Sequence, residues 1–255
     1  MTSFYEPIKW SVEDINKTLT ISGDEQHHIV NVSRYRVGDT IVLNNGRGQL
    51  AYGKIVNINK KSTEFLLEKI DTLANTKPEI AVAFSLLKNK NDHLIVEKLT
   101  EIGVNHFFPM ETRYSVRKIV DSKNKDIDPN QDKMIKTAIA AIKQCDNVFL
   151  PNIYPVKSLE KTIIIAKELG FVPIVASEIE KDLTLTDLYV SLYPKPVCLF
   201  IGPEGGFHPE EHELFKKEEI KTFTIGNHIL RAETAAISAS SIIAAYNLQK
   251  DPKYY

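Results

Sequence analysis

The chain has 255 residues, 43% hydrophobic and 25% charged, with 32 basic against 33 acidic side chains. That balance is globular rather than disordered, and the length suits one large domain or a small one joined to a medium one. No apolar run reaches the roughly 18 residues of a membrane span, the start MTSFYEPIKW lacks a secretory leader's basic-then-apolar order, and the two cysteines, Cys145 and Cys198, stand too far apart for a disulfide scaffold or a cysteine-based zinc site, so a reduced, cytoplasmic protein is expected.

The first seventy residues read as strands joined by turns. TLTI (18–21), DTIVLNN (39–45), GKIVNI (53–58) and TEFLLEKI (63–70) are short and rich in β-branched residues. Gly46 and Gly48 in NNGRGQ suit a hairpin connection, and the stretch from His27 to Arg34 suits one short helix. A small β-barrel over 1–73 is the expected result. His27 and His28 have no third ligand at metal spacing, so no metal is expected.

After LANTKP (73–78) the pattern changes to strand alternating with helix. IAVAFSL (80–86) is a continuous apolar run, as in a strand buried on both faces. NDHLIVEKLTEIG (91–103) places Leu94, Ile95, Leu99 and Ile102 on one helical stripe, capped by Asn91 or Asp92 and stopped by Gly103. VNHFFPM (104–110), FVPIVAS (171–177), PVCLFIG (196–202) and KTFTIG (221–226) read as further strands. DKMIKTAIAAIKQC (132–145), PEEHELFKKEE (209–219) and AETAAISASSIIAAYNL (232–248) read as helices. The alternation predicts an α/β domain over 74–255 with a mostly parallel sheet.

Ligands in such sheets bind outside the carboxyl ends of the strands. Two strand ends there are rich in glycine, IGPEGGF (201–207) and IGNHILRAETA (225–235), where a missing Cβ lets a ligand approach the backbone. Neither is a dinucleotide fingerprint or a P-loop, since the first strand leads into glycine-free LLKNKND and no Gly-Lys-Ser/Thr follows. Lys88 to Lys143 carries 11 basic against 8 acidic residues, with Arg113, Arg117 and Lys118 standing together, while residues 1–72 hold 9 of each sign. The residues by themselves stop at a glycine-looped α/β enzyme or binder with an appended β-domain.

KNKNDHLIVEKLTEIGV, IGPEGGF and IGNHILRAETA, in that order, resemble the RsmE family of 16S rRNA uracil-N3 methyltransferases, a branch of the SPOUT class. EQHHIVNVSRYRVGDTIVLNNGRG is similar to that family's N-terminal PUA-like barrel. The likeness runs over nearly the whole chain. It implies a SPOUT-type trefoil-knotted α/β domain behind a PUA-like RNA-binding domain, a bound S-adenosylmethionine, 16S rRNA of the 30S subunit as substrate, and a homodimer. A non-catalytic RNA-binding protein and a knotted tRNA enzyme are the alternatives. The composition alone would not suggest a knot, because knots are rare.

The resemblance implies roles for individual residues. Gly202 and Gly205 would let the chain fold around the cofactor, Ile201, Ile225, Ile229 and Leu230 would wall its adenine, and Leu199, Pro203, Gly226 and Thr234 would complete the pocket. Arg231 is the expected catalytic cation or phosphate clamp, with Glu233 orienting it. Arg34, Arg36, Arg47, Arg113 and Arg117 are the expected RNA contacts. Glu101 and Gln144 also match family positions. Two positions depart from the family, His228 and Asn147, each where an arginine is common.

Overall fold

The computed structural model describes residues 3–87, 91–115 and 129–251, and the chain divides into two compact units. The first contains residues 1–76 together with 139–150, a segment that sequence order alone assigns to the α/β part. Its strands are β1 (Ser3–Tyr5), β2 (Thr18–Ser22), β3 (Thr40–Asn44), β4 (Gln49–Ile58) and β5 (Ser62–Thr72), in the order β1-β3-β4-β5-β2. β1 runs parallel to β3 and the other pairs are antiparallel. Phe4, Trp10, Ile21, Ile29, Ile41, Leu43, Ile55, Phe65 and Leu67 fill the core of this unit.

The expected helix at 27–34 is instead a short α1 (Gly23–His27) continued by one wider π turn, His28–Val32. The hairpin glycines behave as expected. Gly46 and Gly48 have φ of 67° and 87°, and a side chain at either would press on Leu150 or on Leu73 and Phe149. Residues 139–150 attach here through named contacts: Lys143 Nζ lies 2.6 Å from Glu25 Oε1, and Asn44 Nδ2 donates to the Asn147 carbonyl at 2.9 Å.

The second unit is built on a parallel sheet. Its strands are β6 (Ile80–Ser85), β7 (His106–Glu111), β8 (Asn152–Ile153), β9 (Lys157–Ser158), β10 (Val172–Ala176), β11 (Val197–Ile201) and β12 (Lys221–Phe223). The order is β12-β10-β11-β6-β7-β8, with β9 also pairing β7, and every recorded pair is parallel. β6 and β11 lie side by side at the centre and every residue of both is buried, which explains their continuous apolar runs. Around the sheet lie α2 (Asn91–Ile102), α3 (Pro129–Cys145, which ends in the first unit), α4 (Leu159–Glu168), α5 (Leu185–Leu192), α6 (Pro209–Lys217) and α7 (Ala232–Gln249).

Alternation along the strands divides the core. Ala81, Phe108, Val175, Cys198 and Phe200 pack with Leu159 and Ile163 of α4 and Phe215 of α6. The intervening residues, Val82, Phe84, Leu199 and Ile201, point to the opposite face, where α7 packs on β6 and β11. Burial of the Cys198 thiol in this core raises its pKa well above the ordinary thiol range. α7 is fixed at its far end by a buried relay: the Tyr189 hydroxyl donates to Asn247 Oδ1 at 2.6 Å, and Asn247 Nδ2 donates to the Pro78 carbonyl at 3.2 Å. Burial pushes the Tyr189 phenol up to about 12.

The loop after β10 is held by one carboxylate. Glu180 Oε1 accepts from the backbone N–H groups of Lys181 and Asp182 at 3.0 Å each and Leu183 at 3.2 Å, while Oε2 accepts from Thr222 Oγ1 at 2.8 Å. Those bonds stabilise the ionised form and hold the Glu180 carboxyl at about 2. Backbone bonds from Ser177 to Phe223, Thr224 to Leu183 and Leu185 to Thr224 complete the seam with β12.

A carboxyl with a folded pKa below its unfolded value of roughly 4.3 adds stability above that pH, and the gain disappears as the pH falls towards about 2. Glu180→Gln should therefore lower the urea midpoint at pH 7 and flatten its decline between pH 5 and pH 3. Parallel pH profiles for the two proteins would show that the bonds contribute nothing.

Candidate active site at the carboxyl edge of the sheet

β10, β11 and β12 run parallel as neighbours, so their carboxyl ends deliver three loops to one edge. Between them lies a cavity of about 450 Å³, within the roughly 300–1,000 Å³ of small-molecule sites. Its walls come from Ala176–Glu178 and Lys181 after β10, from 201–207 at the end of β11, and from 223–232 with Ala235 after β12.

The first glycine loop is a tight turn in which the Gly206 N–H donates to the Pro203 carbonyl at 2.9 Å. The sequence points to Gly202 and Gly205 as the glycines that let the chain fold, and the structure moves the stronger demand to Gly206. Gly206 has φ of 71°, and a Cβ there would overlap the Glu178 carboxylate. Gly202 is also constrained, since its Cβ would meet the Phe207 ring at 3.1 Å. Gly205 has an ordinary backbone, and a Cβ there would only touch Tyr114 at 3.7 Å. The loop then enters α6 through a capping box: His208 caps the helix, and Glu211 accepts from the His208 N–H at 2.8 Å.

The second loop follows β12, which ends at Phe223, earlier than the expected strand to Gly226. Thr224 Oγ1 turns the chain by donating to the Gly226 carbonyl at 3.0 Å. No atom lies within 4 Å of where a Gly226 Cβ would sit, so this glycine faces open space. Ile229 is 83% exposed, and Arg231 is exposed at the N-cap of α7, where its carbonyl accepts from the Ala235 N–H at 2.8 Å. The Arg231 guanidinium has no ion-pair partner among the described residues.

Of the expected cofactor residues, Ile201, Gly202, Pro203, Gly205, Ile225, Gly226, Ile229 and Leu230 line this one cavity, as does Arg231. Leu199 does not. It is fully buried in mid-strand, two residues below Ile201 on the same face, and supports the wall from beneath. Thr234 and Glu233 lie in the first turn of α7 but outside the lining, because the helix turns Ala232 and Ala235 inward instead.

The sequence reading overlooks Glu178, the side chain with formal negative charge that follows the third converging strand. Its carboxylate lies against Gly206 and has no ion pair or side-chain hydrogen bond among the described residues. The signal was available, because FVPIVAS is a strand and Glu178 stands just beyond its carboxyl end.

The expected RNA contacts are distributed over both units. Arg34 and Arg36 lie on one exposed segment of the first unit, Arg34 in the left-handed region at φ 59°. Arg47 is exposed on the hairpin, bridged through its backbone to Phe149, and its charge partly offsets the burial that raises the Tyr5 pKa. Arg113 belongs to the second unit, and its Nη2 donates to Glu210 Oε2 at 2.8 Å. Arg117 lies outside the described residues. Gln144 is exposed near the end of α3, and Glu101 accepts from Lys98 Nζ at 2.9 Å. Among the described residues no group of three or more His, Cys, Asp or Glu side chains is placed to hold a metal, and no helix is long and apolar enough to cross a membrane.

Known proteins share this architecture. The ribosomal RNA small subunit methyltransferase E of Bacillus subtilis is 29% identical over 246 residues, 94% of each chain. A probable rRNA-methyltransferase from Porphyromonas gingivalis superposes with a TM-score of 0.79 at 26% identity, covering 98% of this chain and 99% of that one. The fold also matches, at 22% identity and a TM-score of 0.82 over 96% and 98% of the two chains, a ribosomal RNA small subunit methyltransferase E from Neisseria gonorrhoeae bound to S-adenosyl methionine. Residues 21–68 match the RNA methyltransferase PUA domain. Residues 75–244, which carry the sheet, all three loops and the cavity, match the RNA methyltransferase domain, and the chain belongs to that family.

Proposed function

We propose that the protein transfers a methyl group from S-adenosylmethionine to N3 of a uridine in the 16S rRNA of the small ribosomal subunit, acting as a homodimer with a trefoil knot at its cofactor loops. One observation carries this reading: both glycine loops wall a single cavity in a chain whose likeness to ribosomal RNA small subunit methyltransferase E runs over 94% of its length.

The residues present fit that cofactor. Gly202 and Gly206 expose backbone where a side chain would collide with Phe207 or Glu178, and Gly226 opens onto empty space. Ile201, Pro203, Ile225, Ile229 and Leu230 offer apolar surface for the adenine, and adjacent backbone N–H and C=O groups can read its edge. The free carboxylate of Glu178 suits the cofactor's positive charge. S-adenosylmethionine supplies a methyl group activated on a sulfonium centre.

The chain's contribution is alignment and charge, since in-line displacement needs the nucleophile held behind the methyl carbon. Uracil N3 attacks the methyl carbon only after its proton has passed to solvent water, so a cation at the cavity accelerates the reaction by favouring the anionic base. Arg231 is that cation: it is exposed, lines the cavity and opens α7. Glu233 makes no ion pair with Arg231 among the described residues and serves as a first-turn acid at the positive end of α7, beside Thr234. Arg34, Arg36 and Arg47 would hold RNA phosphates on the PUA-like unit, with Arg113 contributing from the second.

Nucleoside mass spectrometry of 30S rRNA incubated with the protein and S-adenosylmethionine tests the reading. N3-methyluridine is expected, and its absence would reject it. Arg231→Ala should leave S-adenosylhomocysteine affinity and Tm nearly unchanged while slowing single-turnover methyl transfer about 10²-fold, as loss of a positioned electrostatic group does. A stable variant with the normal rate would remove Arg231 from the mechanism. Glu178→Gln should weaken S-adenosylmethionine about five-fold in calorimetry, the scale of one solvent-accessible charge pair, and affect the uncharged-sulfur product less. Equal losses for both ligands would argue against a charge role.

The dimer rests on α7. Ala235, Ala236, Ala239 and Ile243 are buried within the chain, while Thr234, Ser238, Ser241, Ala245 and Leu248 form an uncharged stripe at helical spacing that stays at least partly exposed. Light scattering at micromolar concentration should give twice the chain mass, and a monomer would overturn the proposal.

A further inference from the structure

Beside the first glycine loop stands an aromatic side chain that the reading above does not use. Tyr114 follows β7 and is 47% exposed, although its backbone lies in one of the most firmly held turns of the sheet edge. The Ser115 N–H donates to the Thr112 carbonyl at 3.1 Å, and Ser115 Oγ accepts from the Thr112 N–H at 2.9 Å. The buried hydroxyls of Ser85, Thr112 and Ser115 form a chain with spacings of 3.0 and 2.9 Å. On the other side, the Arg113 N–H donates to Glu211 Oε1 at 2.9 Å, and Glu211 is itself buried. Residues on both sides of Tyr114 are thus fixed by buried polar bonds.

The side chain they present stands against Gly205 of the first glycine loop, just outside the residues that line the cavity. Tyr114 is the nearest neighbour of Gly205, and its ring meets His208 edge-on at 5.4 Å between centroids. Its hydroxyl has no hydrogen-bond partner among the described residues. An exposed ring with one aromatic contact adds little to folding, yet the backbone on both sides of it is held by buried polar bonds. That combination is what a rigid stacking surface requires.

We propose that Tyr114 is a positioning residue that stacks on the face of the uracil to be methylated as that base enters the cavity. The inference rests on the proposed function. N3 lies on the pairing edge of uracil, so in a stacked or paired strand the base must leave its neighbours before N3 can reach a methyl donor. An aromatic face beside the first glycine loop restores the lost stacking. Because Gly205 has no side chain, the ring and the loop backbone approach closely, leaving the ring's exposed side for the base.

The test uses the full-length protein and 30S subunits. Tyr114→Ala should lower kcat/KM for methylation about ten-fold or more, the scale of one base–aromatic stack, with Tm and S-adenosylhomocysteine affinity unchanged. Tyr114→Phe and Tyr114→Trp should restore the rate, because they keep the π face and discard the hydroxyl. With 5-iodouridine at the methylated position, irradiation should cross-link the RNA to the peptide containing Tyr114. Normal kcat/KM in Tyr114→Ala, or a Phe variant as slow as the Ala variant, would overturn the stacking role while leaving the methyltransferase reading intact. Failure of the unaltered protein to methylate uridine N3 would overturn both.

Discussion

Parallel pairing of β10, β11 and β12 is the constraint on which the second unit depends. Parallel neighbours in register end at the same edge, so the segments that leave them must share one region of space. Burial of all five β11 side chains locks that register, because a one-residue slip would exchange Cys198 and Phe200 with Leu199 and Ile201 between two unlike cores. The cavity is a consequence of this geometry and needs no separate folding determinant.

What the loops do at that edge depends on how they are fastened. Glu180 folds its own segment with three accepted backbone bonds and ties it to β12 with a fourth, from Thr222, and Glu211 ties the turn after β7 to the start of α6. Both use carboxylates as acceptors for backbone N–H groups, among the strongest neutral-to-charged bonds available to a loop. The loops are therefore built as fixed walls, which suits a reaction whose main demand is alignment. The lining carries charge of both signs, with Glu178 and Glu204 against Lys181 and Arg231.

Legibility varied with the physical origin of each signal. β6 and β11 were readable because burial on both faces leaves a continuous apolar run, whereas α2 was found as a helix but with its face misjudged: Leu94 is exposed, and Asp92, Val96 and Thr100 are buried beside Ile95 and Leu99. α4 was not anticipated, because its centre, Thr162-Ile163-Ile164-Ile165, is a β-branched run that favours strand. Tertiary packing overrides that preference: Thr162, Ile163 and Ala166 are buried on one side of the helix, and Ser158 caps it. α5, with eight residues and a Thr184 cap, is too short to give a clear period. β1, β8 and β9 contribute two or three residues each and exist only through their partners.

At the site, the sequence by itself determined the two glycine loops and their place after strands, since these follow from local composition and strand ends, while the apolar lining and Arg231 came from the family resemblance. The tertiary structure decided the rest. It shifted the conformational demand from Gly205 to Gly206, which has a positive φ and where a Cβ would also overlap the carboxylate of Glu178, a residue 28 positions earlier. It withdrew Leu199 and Thr234 from the lining through the pleat of β11 and the turn of α7. It added Glu178 and placed Tyr114 beside Gly205, contacts between segments distant along the chain. Residue order carries the periods of single elements, and contacts across elements appear only when the parallel sheet brings their ends together.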